Sequence, residues 1–165
     1  RLAKIGSVLD MKVMAHDPYV KDAPPSVTLM ELDDLITHSD FISVHVPPTP
    51  QTQGLIDIRR LALMKPTAYL INTSDAGVVD LKALAESLRH RQIAGAAFDV
   101  FDTHPVSPDN PLLNLDSTVL TPHLGGATEE TVERHSRMMT NDILRFLNGQ
   151  RPNHLVNPQA WERRG

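Results

Sequence analysis

The stretch AYLINTSDAGVVDLKALAESL, residues 68–88, decides the reading of the fold. AYLIN is a short apolar run of strand length, TSDAG is a tight polar turn, and the chain restarts as an amphipathic helix from Asp80 to about Arg91. An acidic residue, Asp75, stands at the mouth of the strand, where α/β proteins keep their chemistry.

The same alternation extends in both directions. Upstream, RLAKIGSVLD (1–10) has helix-like spacing at Leu2, Ile5, Val8 and Leu9, and MKVMAHD (11–17) is a compact β-like run closed by the proline-bearing PYVKDAPP. TLMELDDLITH (28–38) places Thr28 three residues before Glu31, a capping-box spacing that predicts a helix start. FISVHV (41–46) reads as a strand, and LIDIRRLALMK (55–65) has helical spacing until Pro66 stops it. Downstream, IAGAAFDV (93–100) and TVLTPH (118–123) read as strands on either side of a long loop, and a helix runs from about Thr128 to Leu147, where Asn148-Gly149 terminates it. Strands that are apolar on both faces and alternate with helices predict a parallel sheet covered by helices on each side.

Composition narrows the function classes. The chain has 165 residues, 41% hydrophobic and 22% charged, the usage of an ordinary globular domain. It contains no apolar run near the ~20 residues that a membrane span needs, and no signal-peptide pattern, so a cytoplasmic protein is expected. The formal charge of −4 gives no general pull toward nucleic acid, and RHR (89–91) and ERRG (162–165) read as solvated surface. The absence of cysteine excludes disulfides, thiolate metal sites and cysteine nucleophiles. Eight histidines show no metal-binding helix spacing, and His104 with His123 would make at best a weak two-ligand site, so no metal is expected.

Function is therefore sought at the strand ends. Asp17 ends a strand preceded by a helix, where a dinucleotide-binding fold puts the carboxylate that accepts ribose hydroxyls; an exposed Asp opening an Asp-Pro turn accounts for it equally well. His123 ends a strand and is followed closely by Gly125 and Gly126, which let a ligand approach the backbone; a surface loop histidine accounts for it about equally well. Asp99 closes the small-residue strand GAAFD, where a turn cap is the alternative role.

Taken in order, KVMAHDPY, VHVPPTPQTQGLI, LINTSDAGVVD, IAGAAFDVF and LTPHLGGAT resemble the nucleotide-binding domain of the D-isomer-specific 2-hydroxyacid dehydrogenases, the family that includes phosphoglycerate, glycerate and D-lactate dehydrogenases. The resemblance covers nearly the whole chain. It implies a Rossmann-type domain over 1–150, with 151–165 as a C-terminal tail, that binds NAD and serves hydride transfer on a 2-hydroxy or 2-oxo acid. Asp17 would hold the adenosine ribose and favour NAD over NADP, and Val46 and Pro47 would line the adenine side. Thr73 and Ser74 would lie near the nicotinamide, Asp99 would hydrogen-bond its end, and His123 would be the acid/base. A small-molecule substrate and a homodimer are further implications of the resemblance. Trp161 in the closing segment is expected to pack and not to touch ligand.

The sequence also departs from the family. No G-x-G-x-x-G fingerprint is present; by the spacing its last glycine would fall just upstream of Arg1, so the chain is expected to lack the first strand of the domain and most of the substrate domain. At Asp75 the family normally has an arginine that clamps the substrate carboxylate, and at His104 a glutamate that orients the catalytic histidine. Reversing the charge at Asp75 replaces attraction by repulsion, about 4 kcal/mol for a unit pair ~4 Å apart at an effective dielectric of ~20. Three readings follow. Asp75 and His104 join His123 in a rearranged catalytic unit acting on a substrate without that carboxylate; or the protein is a catalytically silent NAD-binding regulator; or an arginine from elsewhere in the protein supplies the clamp.

Overall fold

A computed structural model describes residues 1–163; the last two residues of the ERRG patch lie outside the described residues. The chain divides into two compact units, Arg1–Pro122 and His123–Gly165.

The first unit is α/β. In chain order it contains α1 (Leu2–Val8), β1 (Val13–Ala15), β2 (Val27–Leu29), α2 (Leu32–His38), β3 (Phe41–Val44), α3 (Ile58–Leu61), β4 (Tyr69–Asn72), a 3-10 turn (Ala76–Val78), α4 (Leu81–Arg89), β5 (Gly95–Phe98) and β6 (Thr118–Leu120). Every strand pairing is parallel, as expected for strands joined through helices. Among the described residues β1 pairs with β2 alone, and β3, β4, β5 and β6 form a second sheet in that order. This is the expected Rossmann-type α/β architecture.

Thr28 corrects the sequence reading. It does not cap a helix; it lies in β2, in register with Met14 of β1, and α2 begins three residues after Leu29 with Glu31 as its N-cap residue. The β-branched pair Val27-Thr28 favours a strand, and pairing with a partner distant in sequence decides the outcome. The segment 55–65 is likewise less helical than its spacing predicts, because α3 covers only Ile58–Leu61, capped by the Asp57 side chain on the Arg60 N–H.

The core belongs to the four-stranded sheet. Leu70, Phe98, Leu61, Val78 and Leu84 are almost completely buried, joined by Ile36, Ile93 and Leu112. α4 contributes Ala83, Leu84, Ala85 and Leu88 from one face, and Asp80 caps it by accepting from the Lys82 and Ala83 N–H groups, both at 3.1 Å. A Cβ on Gly95 would lie 2.8 Å from the Ser117 carbonyl oxygen and 2.9 Å from the Tyr69 ring, so glycine here permits the close approach of β4 and the segment entering β6. On the outer face Phe41 and Tyr69, directly opposed in register, stack at 5.5 Å.

Two further devices position the strand mouths. Gly54 and Ile56 donate their N–H groups to the carbonyls of Gly77 and Val78, at 2.8 and 2.9 Å, and Asp80 N–H returns to the Ile56 carbonyl, so the segment before α3 is stitched to the turn after β4. Asp33 of α2 accepts from Arg59 at 2.7 Å and from Arg60 at 2.9 Å, tying α2 to α3. The hydrogen bonds from Arg59, then Arg60, hold the Asp33 carboxyl down to about 2.

The second unit is built on α5 (Glu129–Leu147), followed by α6 (Pro158–Glu162). Thr128 caps α5 by accepting from the Thr131 N–H, and Glu129 and Glu130 complement the positive end of the helix dipole. The helix ends where the sequence predicts: Gly149 has φ +70° and Gln150 N–H returns to the Arg145 carbonyl at 2.8 Å. Asp142 then accepts from the Asn153 N–H, the His154 N–H and His154 Nδ1, fastening the following segment to the helix; the Asn153 N–H is the main cause of its lowered pKa. Trp161 meets Phe146 edge-on at 6.3 Å, the packing role expected of it.

Candidate active site

The strand mouths of the first unit carry a connected set of polar groups around Asn72, the last residue of β4. This side chain is completely buried, and its hydrogen-bonding capacity shapes the turn that follows. Oδ1 accepts from the Ser74 N–H at 3.0 Å and from the Ser74 hydroxyl at 2.9 Å, while the Asn72 amide donates to the Asp75 carbonyl at 2.8 Å. A buried amide left unpaired would cost 1–3 kcal/mol by general experience, roughly, so this network fixes the conformation of residues 73–75. The Asn72 carbonyl in turn accepts from the Asp99 N–H at 3.1 Å, linking the mouths of β4 and β5.

Asp99 is the buried acid of the set, 7% exposed. Its Oδ1 accepts a 2.5 Å hydrogen bond from the Thr121 hydroxyl at the end of β6. A charge-assisted O–H···O⁻ bond of this length orients the carboxylate firmly between two strands. Asp99 is thus more than the turn cap weighed from sequence: it is held as a directed acceptor at the sheet's carboxyl edge.

Asp75 has a structural task of its own. Its Oδ1 accepts from the Gly77 N–H at 2.9 Å, capping the 3-10 turn, and the residue is half-buried. Thr73 beside it is exposed. Val46 packs partly against the core and Pro47 is exposed, its carbonyl accepting from the Thr52 hydroxyl at 2.6 Å. At the mouth of β1, Asp17 Oδ1 accepts from the Tyr19 N–H at 2.9 Å, the Asx turn weighed as its alternative role; among the described residues its second oxygen makes no hydrogen bond. An acceptor oxygen left over on a strand-mouth carboxylate suits a diol, so the two roles are compatible.

His104 is exposed in the loop between β5 and β6, joined to Pro105 by a cis peptide. His123 opens the second unit and has φ +57°, a left-handed conformation uncommon outside glycine and concentrated at functional sites. A Cβ at Gly126 would meet nothing within 4 Å, so local packing does not demand glycine there. No group of three or more metal-ligating side chains occurs among the described residues.

The first unit therefore brings Asp75, Ser74 and Asp99 together through Asn72. Sequence reading missed two positioning residues, Asn72 and Thr121. The signal for the first was a lone amide ending an otherwise apolar strand; Thr121, in LTPH, had none.

Residues 1–125 match the family described as D-isomer specific 2-hydroxyacid dehydrogenase, NAD binding domain. The chain belongs to the D-isomer-specific 2-hydroxyacid dehydrogenases. It is 40% identical over 162 residues to a glyoxylate reductase of Thermofilum pendens, covering 96% of this chain and 48% of that protein. It is 40% identical over 160 residues to a D-3-phosphoglycerate dehydrogenase of Mycobacterium leprae, covering 95% of this chain and 29% of the relative. In structure it resembles the NAD-complexed D-isomer specific 2-hydroxyacid dehydrogenase of Lactobacillus delbrueckii ssp. bulgaricus, with a TM-score of 0.87 at 30% identity over 94% of this chain and 52% of that one. The chain spans about half, or less, of the length of the curated relatives it matches. The expectation of a 2-hydroxyacid dehydrogenase family is borne out, and NAD, the expected cofactor, is the one for which the matched domain is named.

Proposed function

We propose that the protein containing this chain is an NAD-dependent oxidoreductase that interconverts a CH–OH group and a carbonyl in a 2-hydroxy acid or related small molecule. The observation that carries this reading is the buried Asp99 carboxylate, held by Thr121 at the carboxyl edge of a parallel sheet. Such an acceptor suits the carboxamide of a nicotinamide.

The chain's residues fit the dinucleotide as follows. Asp17 offers its unengaged oxygen to the adenosine ribose, and its negative charge opposes a 2′-phosphate. Val46 and Pro47 would line the adenine side, and Thr73, Ser74 and Asp99 would hold the nicotinamide end. Gly125 and Gly126 leave room at the backbone. A bound dinucleotide would supply the hydride, with its electron pair, that forms the new C–H bond at the carbonyl carbon. His123 donates the proton that the oxygen gains and recovers it in the reverse direction. His104 and Asp75 stand at the positions where the family normally has its glutamate and arginine, and each, like His123, is proposed as a catalytic residue. Residues 1–150 serve as the NAD-binding domain and 151–165 as its tail.

We further propose a cytoplasmic homodimer. No helix among the described residues is long and apolar enough to cross a membrane. Val132, Met139, Ile143 and Leu147 recur along α5 and are exposed, an apolar row that a second copy would cover.

The test is NADH oxidation by the complete protein against 2-oxo acids and neutral 2-oxo compounds, with NADH binding measured in parallel. Turnover that His123→Ala reduces by a factor of 100 or more, by the usual worth of acid/base catalysis, is the expected result. One observation favours a second reading, the silent NAD-binding regulator: the Asp75 carboxylate is engaged as a backbone cap. NADH binding without turnover of any compound would establish that reading instead.

A further inference from the structure

The Asp75 carboxylate is held in place, and among the described residues no cationic side chain is paired with it. One oxygen is occupied by the Gly77 N–H. Among the described residues the other makes no hydrogen bond, and no lysine, arginine or histidine pairs with the group. Its polar neighbour is neutral: a Cβ on Gly77 would lie 2.8 Å from Gln53 Oε1, 3.1 Å from Gln53 Nε2 and 3.2 Å from Asp75 Oδ1, so an amide and the carboxylate converge over Gly77. The residue is half-buried, and its turn is fixed at both ends, by Asn72 and by the stitch from Gly54 and Ile56. The turn therefore cannot swing this charge away cheaply.

We infer that Asp75 is a specificity-determining residue: it turns the reaction away from substrates with a carboxylate beside the reacting carbonyl and toward those with a hydrogen-bond donor there, a hydroxyl, amide or ammonium group. This rests on the dehydrogenase reading of the site. A substrate carboxylate would meet a like charge in a partly desolvated turn and would find the Gly77 N–H already taken. A hydroxyl or amide N–H at the same place satisfies the carboxylate oxygen that the fold leaves over. The argument concerns charge and donor complementarity, so it yields to a substitution that changes charge and little else. Asp75→Asn is that substitution, because an asparagine oxygen still accepts from the Gly77 N–H and keeps the cap.

The experiment compares matched pairs in the complete protein with NADH: hydroxypyruvate against dihydroxyacetone, and pyruvate against hydroxyacetone. Wild type is expected to show the higher kcat/KM for the neutral member of each pair. Asp75→Asn should raise the ratio of kcat/KM for the acid to that for the neutral compound at least tenfold in each pair, whatever it does to the absolute rates, and Asp75→Arg should raise that ratio further. A second readout avoids turnover: oxamate binding, followed by calorimetry, should tighten at least tenfold in Asp75→Asn. A wild-type preference for the acids, or oxamate affinity unchanged or weakened in Asp75→Asn, overturns the inference and leaves the dehydrogenase reading standing. Absence of turnover for all four compounds in wild type and in both variants overturns the two together.

Discussion

The two sheets of the first unit are made from the same kind of strand yet differ in what supports them. In β3 and β4 the pattern is exposed-buried-intermediate-buried, β5 buries three of its four residues, and the edge strand β6 buries none, while the central pair β4 and β5 is flanked on each side. In β1 no residue is fully buried, β2 is intermediate at best, and α1 buries nothing. The four-stranded sheet has a core behind β3, β4 and β5; β1 and β2 have one strand neighbour each and no buried residue. Pairing geometry alone does not make a strand stable. Burial behind it does, and it is within this buried region that Asn72 and Asp99 are held by their hydrogen bonds.

The largest expected effect tests that difference directly. Phe98→Ala, at 2% exposure, should cost about 3–5 kcal/mol in denaturant unfolding, whereas Val13→Ala in β1 should cost less than about 1.5 kcal/mol. Equal costs would break the comparison. Thr121→Val tests the mouths: losing the hydroxyl that orients Asp99 should weaken NADH binding about tenfold, the worth of one hydrogen bond to a charged group, with the fold retained by circular dichroism. A smaller step is Asp80→Ala, which removes the α4 cap and should cost about 1 kcal/mol.

The smallest effect lies between the two sheets, at Asp33 on α2. Because Arg59 and Arg60 depress its pKa to about 2, its ionised form contributes stability that is complete above the ordinary aspartate value of about 4. That contribution is lost as pH falls toward about 2 and the carboxyl takes up its proton. Thermal unfolding of wild type and Asp33→Asn should therefore differ slightly at pH 7 and converge over that window. A difference unchanged across it would show that α2 is not fastened through this charge.

Much of this was legible in the sequence because the relevant signals are local. The strand-turn-helix at 68–88, the Asp80 start, the Asn148-Gly149 stop and the parallel alternation all depend on residues within a few positions of one another. β2 was not legible, since Thr28 satisfies a helix-start rule equally well and only pairing with β1 separates the two outcomes. The Asp99–Thr121 bond was hidden for the same reason: the partners lie on different strands, and nothing in LTPH marks a threonine that serves an acid elsewhere. Asp75 was legible as unusual, but its cap on Gly77 depends on backbone conformation, which a charge pattern does not specify.

The way the turn after β4 is held has a consequence for how this site changes over time. Its frame comes from a buried amide beneath it and from main-chain bonds beside it, neither of which uses the side chain of Thr73. Asp75 adds one cap that several small polar residues could replace at little cost in stability. Residues 73 and 75 therefore sit on a fixed mount like interchangeable tips, and a lineage can exchange the chemistry presented at the mouth by single substitutions without rebuilding the scaffold that presents it.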